Sequence, residues 1–169
     1  MGISVDMFVK TYKANSKAKD KTFEEFIQKH ITKKYIPFFE KASCCDGIIA
    51  ATCYKKDGER KLVSFNSCFR YLIFIMKLIE YYTDIEINDQ DIAGDYDKLN
   101  EIGAINTIIN SIPEVEYTEF STILNMKIDD MRDNEYSTTA LLYNLKETLS
   151  ISEEVFASVI EELQKMKDE

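Results

Sequence analysis

The sequence predicts an all-α protein, a single domain over residues 1–169 with six to eight helices arranged around one central apolar helix. Three observations carry that expectation. Apolar residues recur at three- and four-residue spacing through most of the chain. Only 5 Gly and 2 Pro interrupt 169 residues, too few for the tight turns of a β-sandwich or barrel. One segment, Tyr71 to Tyr82, is apolar around almost its whole circumference, as suits a helix in the middle of a bundle. A chain of this length buries about 70% of the surface it exposes when unfolded, so its core can carry the fold without a disulfide or metal.

Ser4 caps a short first helix whose inner residues are Val5, Phe8, Val9 and Tyr12, and the lysine-rich stretch from Asn15 to Lys21 ends it. Thr22 and Glu25 form a capping box for a second helix, with Phe23, Phe26, Ile27 and Ile31 inward, running to about Tyr35. Pro37 stops that helix and opens a third, to about Thr52, patterned on Phe38, Phe39, Ala42, Cys45, Ile48 and Ile49. Asp57-Gly58 is a turn signal, so a short β-hairpin is expected near 51–65. Asn66 or Ser67 caps the central helix, Cys68 to about Thr83, and a polar loop from Asp84 to Asp91 follows it. Tyr96, Leu99, Ile102, Ile105, Ile108 and Ile112 are helical again, with Gly103 a break. Pro113 opens a helix to about Asp133, with Glu114 and Glu116 favourable at its positive end and Phe120, Ile123, Leu124, Ile128 and Met131 inward. Residues 137–169 carry two more amphipathic stretches, capped by Ser137 and Ser150, that could extend as a C-terminal helical arm.

Net charge is -9, divided unevenly. Met1 to Arg70 holds 14 Lys/Arg against 8 Asp/Glu, a net of +6, whereas Tyr71 to Glu169 holds 7 against 22, a net of -15. Such polarity can guide copies of one chain head to tail, or turn one end toward an anionic partner. Cys44, Cys45, Cys53 and Cys68 contain no C-x-x-C pair and lie apart from the lone His30, which predicts reduced, mostly buried thiols and a reducing compartment. Met1 to Lys10 lacks the apolar core of a signal peptide, and Asp6 stands where a myristoylation signal needs Ser or Thr. The 12 residues from Tyr71 to Tyr82 are too few, and with Lys77 and Glu80 too charged, to span a bilayer, so no membrane association is expected.

Candidate chemistry is sparse. The run Asp84, Glu86, Asn88, Asp89, Asp91, Asp95 resembles a calcium loop, but Asp89 takes the place of the turn Gly and Asp95 that of the bidentate Glu, so a solvated, helix-capping loop is expected. Asp129, Asp130 and Asp133 form a D-D-x-x-D run of the kind that holds magnesium facing a diphosphate. A magnesium-dependent all-α hydrolase needs a second such set on a facing helix, and none is evident, so the run reads as a solvated helix end and no metal, cofactor or catalytic residue is expected. His30 has only Lys29, Lys33 and Lys34 as charged neighbours, which predicts a partly exposed helix residue without a partner. Lys10, Lys13, Lys17, Lys19 and Lys21, with those three lysines, could touch DNA phosphates loosely through the basic N-terminal half. They lack the aromatic interleaving of specific nucleic-acid recognition.

The stretches Ile31-Thr32-Lys33-Lys34-Tyr35-Ile36-Pro37, Phe69-Arg70-Tyr71-Leu72-Ile73-Phe74, Tyr82-Thr83-Asp84-Ile85-Glu86 and Glu119 through Ser137 resemble uncharacterised proteins from virion-gene clusters of tailed phages and prophages of low-G+C Gram-positive bacteria. The resemblance covers about Thr22 to Leu149 and brings no assigned chemical role. It implies a virion structural or assembly protein, made in the host cytoplasm and able to pass into the virion, that works by contact with other phage proteins: a head-tail connector or neck component, or a tail-assembly chaperone. A bias to 18 Lys over 3 Arg and 21 Ile over 10 Leu agrees with an A+T-rich genome. The alternative is a small phage-encoded inhibitor of a host defence or host enzyme, whose acidic half imitates nucleic acid. For the assembly reading a homo-oligomer is expected, with Lys29, Lys33 and Lys34 as one contact region and Val155, Phe156, Val159 and Ile160 as another.

Overall fold

The computed structural model describes residues 2–17, 20–55 and 63–136, together with 152, 155, 157 and 158. The described residues form β1 (Ile3–Ser4), α1 (Val5–Asn15), α2 (Asp20–His30), α3 (Phe38–Thr52), β2 (Cys53–Lys55), β3 (Val63–Phe65), α4 (Ser67–Tyr82), β4 (Ile85–Glu86), α5 (Ile92–Glu101), α6 (Ala104–Ser111) and α7 (Glu114–Tyr136). The fold is all-α with small β elements, as predicted. Among the described residues no helix is long and apolar enough to cross a membrane. By its contacts the chain divides into two units, Met1–Thr52 with Asn66–Lys127, and Cys53–Phe65 with Ile128–Glu169.

In the first unit α4 supplies the centre. The Asn66 side chain caps it by accepting the Phe69 N–H at 3.0 Å, and Ile73, Phe74, Ile75, Met76, Leu78, Ile79 and Tyr82 are buried. Burial starts later than the sequence suggested: Tyr71 is 56% exposed and Leu72 half-buried, so the inner part of the helix begins at Ile73. Phe120 of α7 packs edge-on against Phe74 with ring centroids 6.1 Å apart, and Ile123 and Leu124 continue that buried stripe.

Helix α1 starts at its predicted cap, where Ser4 accepts the Met7 N–H at 3.4 Å, and it buries Val5, Phe8 and Tyr12. Phe26 of α2 stacks on Phe8 at 5.8 Å and Phe23 meets Tyr12 edge-on at 5.1 Å. Helix α2 begins at Asp20, so Thr22 lies inside it and the expected capping box is not its start. It also stops at His30 rather than Tyr35. Ile31 leaves the helix to bridge Thr83, and the Thr32 N–H donates to the Tyr82 carbonyl at 2.9 Å, so long-range pairing ends the helix before its apolar pattern does.

The segment expected to be a solvated loop after α4 contains β4, which pairs in parallel with β1 through Ile3↔Ile85 and Ser4↔Glu86. The rest of that segment behaves as expected: Asp91 caps α5 by accepting the Gly94 N–H at 3.1 Å. Gly103, at φ +71°, separates α5 from α6, a left-handed conformation that a side chain would strain. Pro113 precedes α7, and its carbonyl accepts the N–H groups of Glu116 and Tyr117.

In the second unit the expected hairpin is present: β2 and β3 pair antiparallel with Cys53 opposite Phe65 and Lys55 opposite Val63. Val155 is 54% exposed. The rest of the arm expected over residues 137–169 lies outside the described residues, apart from 152, 157 and 158.

Candidate interaction surface

Pro37 cannot donate a backbone hydrogen bond, and its carbonyl accepts the N–H groups of Glu40 and Lys41 in the first turn of α3. The buried face of that helix is Lys41, Cys44, Cys45, Ile48 and Thr52, a helical stripe that opens with a lysine. Lys41 is fully buried. A buried ammonium persists only where partners replace its water, and two carboxylates of α7 do so. Its Nζ lies 2.9 Å from Glu116 Oε2 and also binds Glu119 Oε2. Glu116 Oε2 accepts two further hydrogen bonds, from the Tyr82 hydroxyl at 2.7 Å and the Ile36 N–H at 3.0 Å. The Tyr35 ring centroid stands 5.4 Å from the same ammonium.

Burial by itself would raise the Glu116 carboxyl, but the bonds from Tyr82, Lys41 and Ile36 outweigh it and hold the group below its ordinary value. Burial likewise works to lower Lys41, and the Glu119 and Glu116 bonds outweigh it and raise the ammonium. Tyr82 is raised, first by burial and then by its bond to Glu116. The network therefore keeps Lys41 and Glu116 ionised and clamps the α2–α3 connection, α3, α4 and α7 to one oxygen. Among the described residues no buried side-chain nitrogen or oxygen lacks a partner. Glu116 sits in the first turn of α7 at its positive end, as expected, and in addition is buried in the core, which the sequence did not suggest.

Exposed apolar side chains lie close in sequence to the clamp residues, interspersed with the exposed charges Lys34, Glu40 and Glu114. Tyr35 is 65% exposed, Phe38 52% and Phe39 84%, and Val115, next to Glu116 in α7, is 75% exposed. Phe38 and Phe39 meet edge-on at 5.7 Å. Both phenylalanines belong to the apolar pattern of α3 but are exposed, because they stand in its first turn, ahead of the buried stripe that begins at Lys41; Phe38 shares the helical face of Lys41 and Cys45. Three exposed aromatic rings on a rigid mount can bury apolar area against a partner at little entropic cost, the property that makes aromatic side chains interface anchors.

The residues proposed from sequence fall elsewhere or stand alone. Lys29, Lys33 and Lys34 are exposed at the end of α2 and in the connection to α3, with Lys33 Nζ 5.9 Å from the Tyr81 ring centroid. Asp129 and Asp130 are exposed on α7, and Asp129 lies 3.8 Å from Arg132. Asp133 falls on the same helix. Among the described residues no group of three His, Cys, Asp or Glu is placed to hold a metal ion. Phe156, Val159 and Ile160 lie outside the described residues. His30 is a partly exposed helix residue, as expected, but it has a partner: its Nδ1 is 2.8 Å from Asp84 Oδ1, and its ring packs edge-on to Phe8 and Phe26 at 5.2 and 4.9 Å. All four cysteines fall among the described residues. Cys44 and Cys45 are buried, Cys53 is half-buried and Cys68 is exposed, so burial holds for two of them.

Comparison with protein-family models, curated proteins and solved structures gives no match.

Proposed function

We propose that this chain is a structural or assembly protein of a tailed-phage virion that acts by protein–protein contact, as a head-tail connector or neck component or as a tail-assembly chaperone. The observation that carries the reading is the exposure of the aromatic residues Tyr35, Phe38 and Phe39 next to the buried Lys41–Glu116 clamp. The resemblance of the sequence stretches above supplies the virion setting, and the +6 and -15 halves supply long-range orientation between copies. Charge reaches only about 10 Å at 0.1 M salt, so it guides the encounter while the aromatic group provides most of the affinity.

The test is sedimentation velocity over a range of protein concentrations and from low to molar salt, with Phe38→Ser/Phe39→Ser as the comparison. Association that weakens but persists as salt rises, and is lost in the variant, supports the reading. A monomer under every condition overturns self-assembly, and co-expression with products of neighbouring virion genes then decides the chaperone role. If the variant binds such a product as the unaltered chain does, the aromatic surface is not the contact.

A further inference from the structure

Among the described residues a second feature of the first unit stands apart from the aromatic surface: a cleft of about 490 Å³ between α3, α4 and the start of α5. Its volume lies inside the roughly 300–1,000 Å³ typical of small-molecule sites. Ile48, Ala51, Ile73 and Ile92 give it an apolar lining, and Lys33, Lys77 and Glu80 give it a charged one.

Two observations point to an occupant. The first is Gly47, which lines the cleft from the interior of α3. Glycine inside a helix costs roughly 1 kcal/mol relative to alanine. Its backbone is not in the left-handed region, and a Cβ built there meets nothing within 4 Å, so no packing within the described chain asks for glycine. A local choice that weakens the helix and leaves open space belongs with a site that needs the space. The second is an imbalance of charge. Lys77 is held by Glu80 at 2.6 Å, whereas Lys33 has no carboxylate within ion-pair distance among the described residues and rests near the Tyr81 ring. The cleft thus combines an apolar lining with a cation at its edge that no described carboxylate neutralises.

Thiol chemistry is a poor use of the site. Burial pushes Cys44 up to about 11, against the opposing effects of Lys77 and Tyr81, so the thiolate needed of a nucleophile is scarce at neutral pH.

We infer that this cleft binds a small amphiphile with a single anionic head, its apolar body along Ile48, Ala51, Ile73 and Ile92 and its head at Lys33. The head is a carboxylate or a phosphate monoester, and the site does not depend on the assembly role proposed above.

The full chain is titrated with the anionic fluorophore anilinonaphthalene sulfonate, then competed with decanoate, decyl phosphate and decyltrimethylammonium, all below their micelle concentrations. One saturable site displaced by the anions and not by the cation is expected, and the better anionic competitor identifies the head. Gly47→Leu fills the cleft and should weaken binding tenfold or more while melting at or above the temperature of the unaltered chain. Lys33→Glu, on an exposed side chain, should weaken the anions tenfold without changing the melt. Equal displacement by decyltrimethylammonium, no saturable binding, or unaltered affinity in either variant would overturn the inference. Phe38→Ser/Phe39→Ser should bind the fluorophore normally, and loss of binding there would move the site to the aromatic surface and overturn it too.

Discussion

Lys41 and Lys77 both reach glutamates in the first unit, but Lys41 has no exposed surface, whereas the Lys77 side chain is 32% exposed and its partner Glu80 43%. Around Lys41 two carboxylates, a tyrosine hydroxyl, a backbone N–H and an aromatic ring are gathered from three segments other than its own helix. Around Lys77 there is one glutamate, three residues along the same helix, beside an open cleft. The first arrangement has replaced the water around its ammonium, with only Glu119 still reaching solvent, and serves the architecture. The second still shares its charges with solvent, and groups of that kind can exchange one partner for a ligand. The same pair of residue types therefore does different work according to how much water is left.

The largest effect expected of this difference is on stability. Glu116→Ala leaves the buried ammonium with Glu119 as its one carboxylate partner and removes the acceptor of Tyr82 and Ile36, and it should cost about 3–5 kcal/mol in urea unfolding. Lys77→Ala should cost less than about 1 kcal/mol. Comparable losses would erase the distinction. Lys41→Met with Glu116→Leu, which removes both charges together, should recover the part of the loss that comes from the unbalanced charge and not the part that comes from Tyr82 and Ile36, which still lack their acceptor.

The pH dependence sharpens the same contrast. Glu116 is held below its ordinary 4.5, so its contribution is complete above that pH and falls away as the pH drops toward the lowered value of the folded state. Lys41 is raised above 10.5, so its contribution is complete below that pH and is lost as the pH climbs through the raised value. Tyr82, raised above 10.0, remains neutral in the folded chain while the unfolded chain ionises, which adds to the alkaline loss. The difference in unfolding free energy between the unaltered chain and Lys41→Met/Glu116→Leu should be flat from about pH 4.5 to 10 and decline on either side. A slope through neutrality would mean that other groups carry the network.

How far the sequence disclosed these regions follows from the range of the interactions. Helical spacing is local, so α1, α3, α4, α6 and α7 are legible with their caps Ser4 and Asn66 and their breaks at Gly103 and Pro113. The β1–β4 pair and the His30–Asp84 contact are not, since each joins residues far apart in the chain and neither has a spacing to betray it. Lys41 does leave a trace. It occupies position i of the buried series 41, 44, 45, 48, and Glu116 occupies position i of 116, 120, 123, 124, so a charge on each apolar stripe foretells a buried pair. Gly47 leaves a trace as well: a weakness of the helix by propensity, whose meaning lies in the space beside it. Gly47→Ala should stabilise the chain by about 0.5–1 kcal/mol in urea unfolding, through helix propensity alone. A loss would show that this position is packed more tightly than the open space around it implies.

The smallest effect is the most exacting test of the contrast. Lys77 and Glu80 stand three residues apart on α4, about a third and nearly half exposed. Burial works to lower the Lys77 ammonium, and its hydrogen bond and attraction to Glu80 outweigh it. Solvent screens such a pair, and holding two long side chains in one geometry costs entropy, so a double-mutant cycle with Lys77→Met and Glu80→Gln should give a coupling of only about 0.3–0.5 kcal/mol. Added salt should reduce that coupling to nothing, since exposed charges separated by water are screened. The equivalent cycle on Lys41 and Glu116 should retain its coupling at the same salt, because no water or ion reaches the ammonium. If the Lys77–Glu80 coupling exceeded about 1 kcal/mol and resisted salt, that lysine would be held by its partner no less tightly than Lys41, and Lys33 would be left as the sole lining cation through which the cleft could attract an anion.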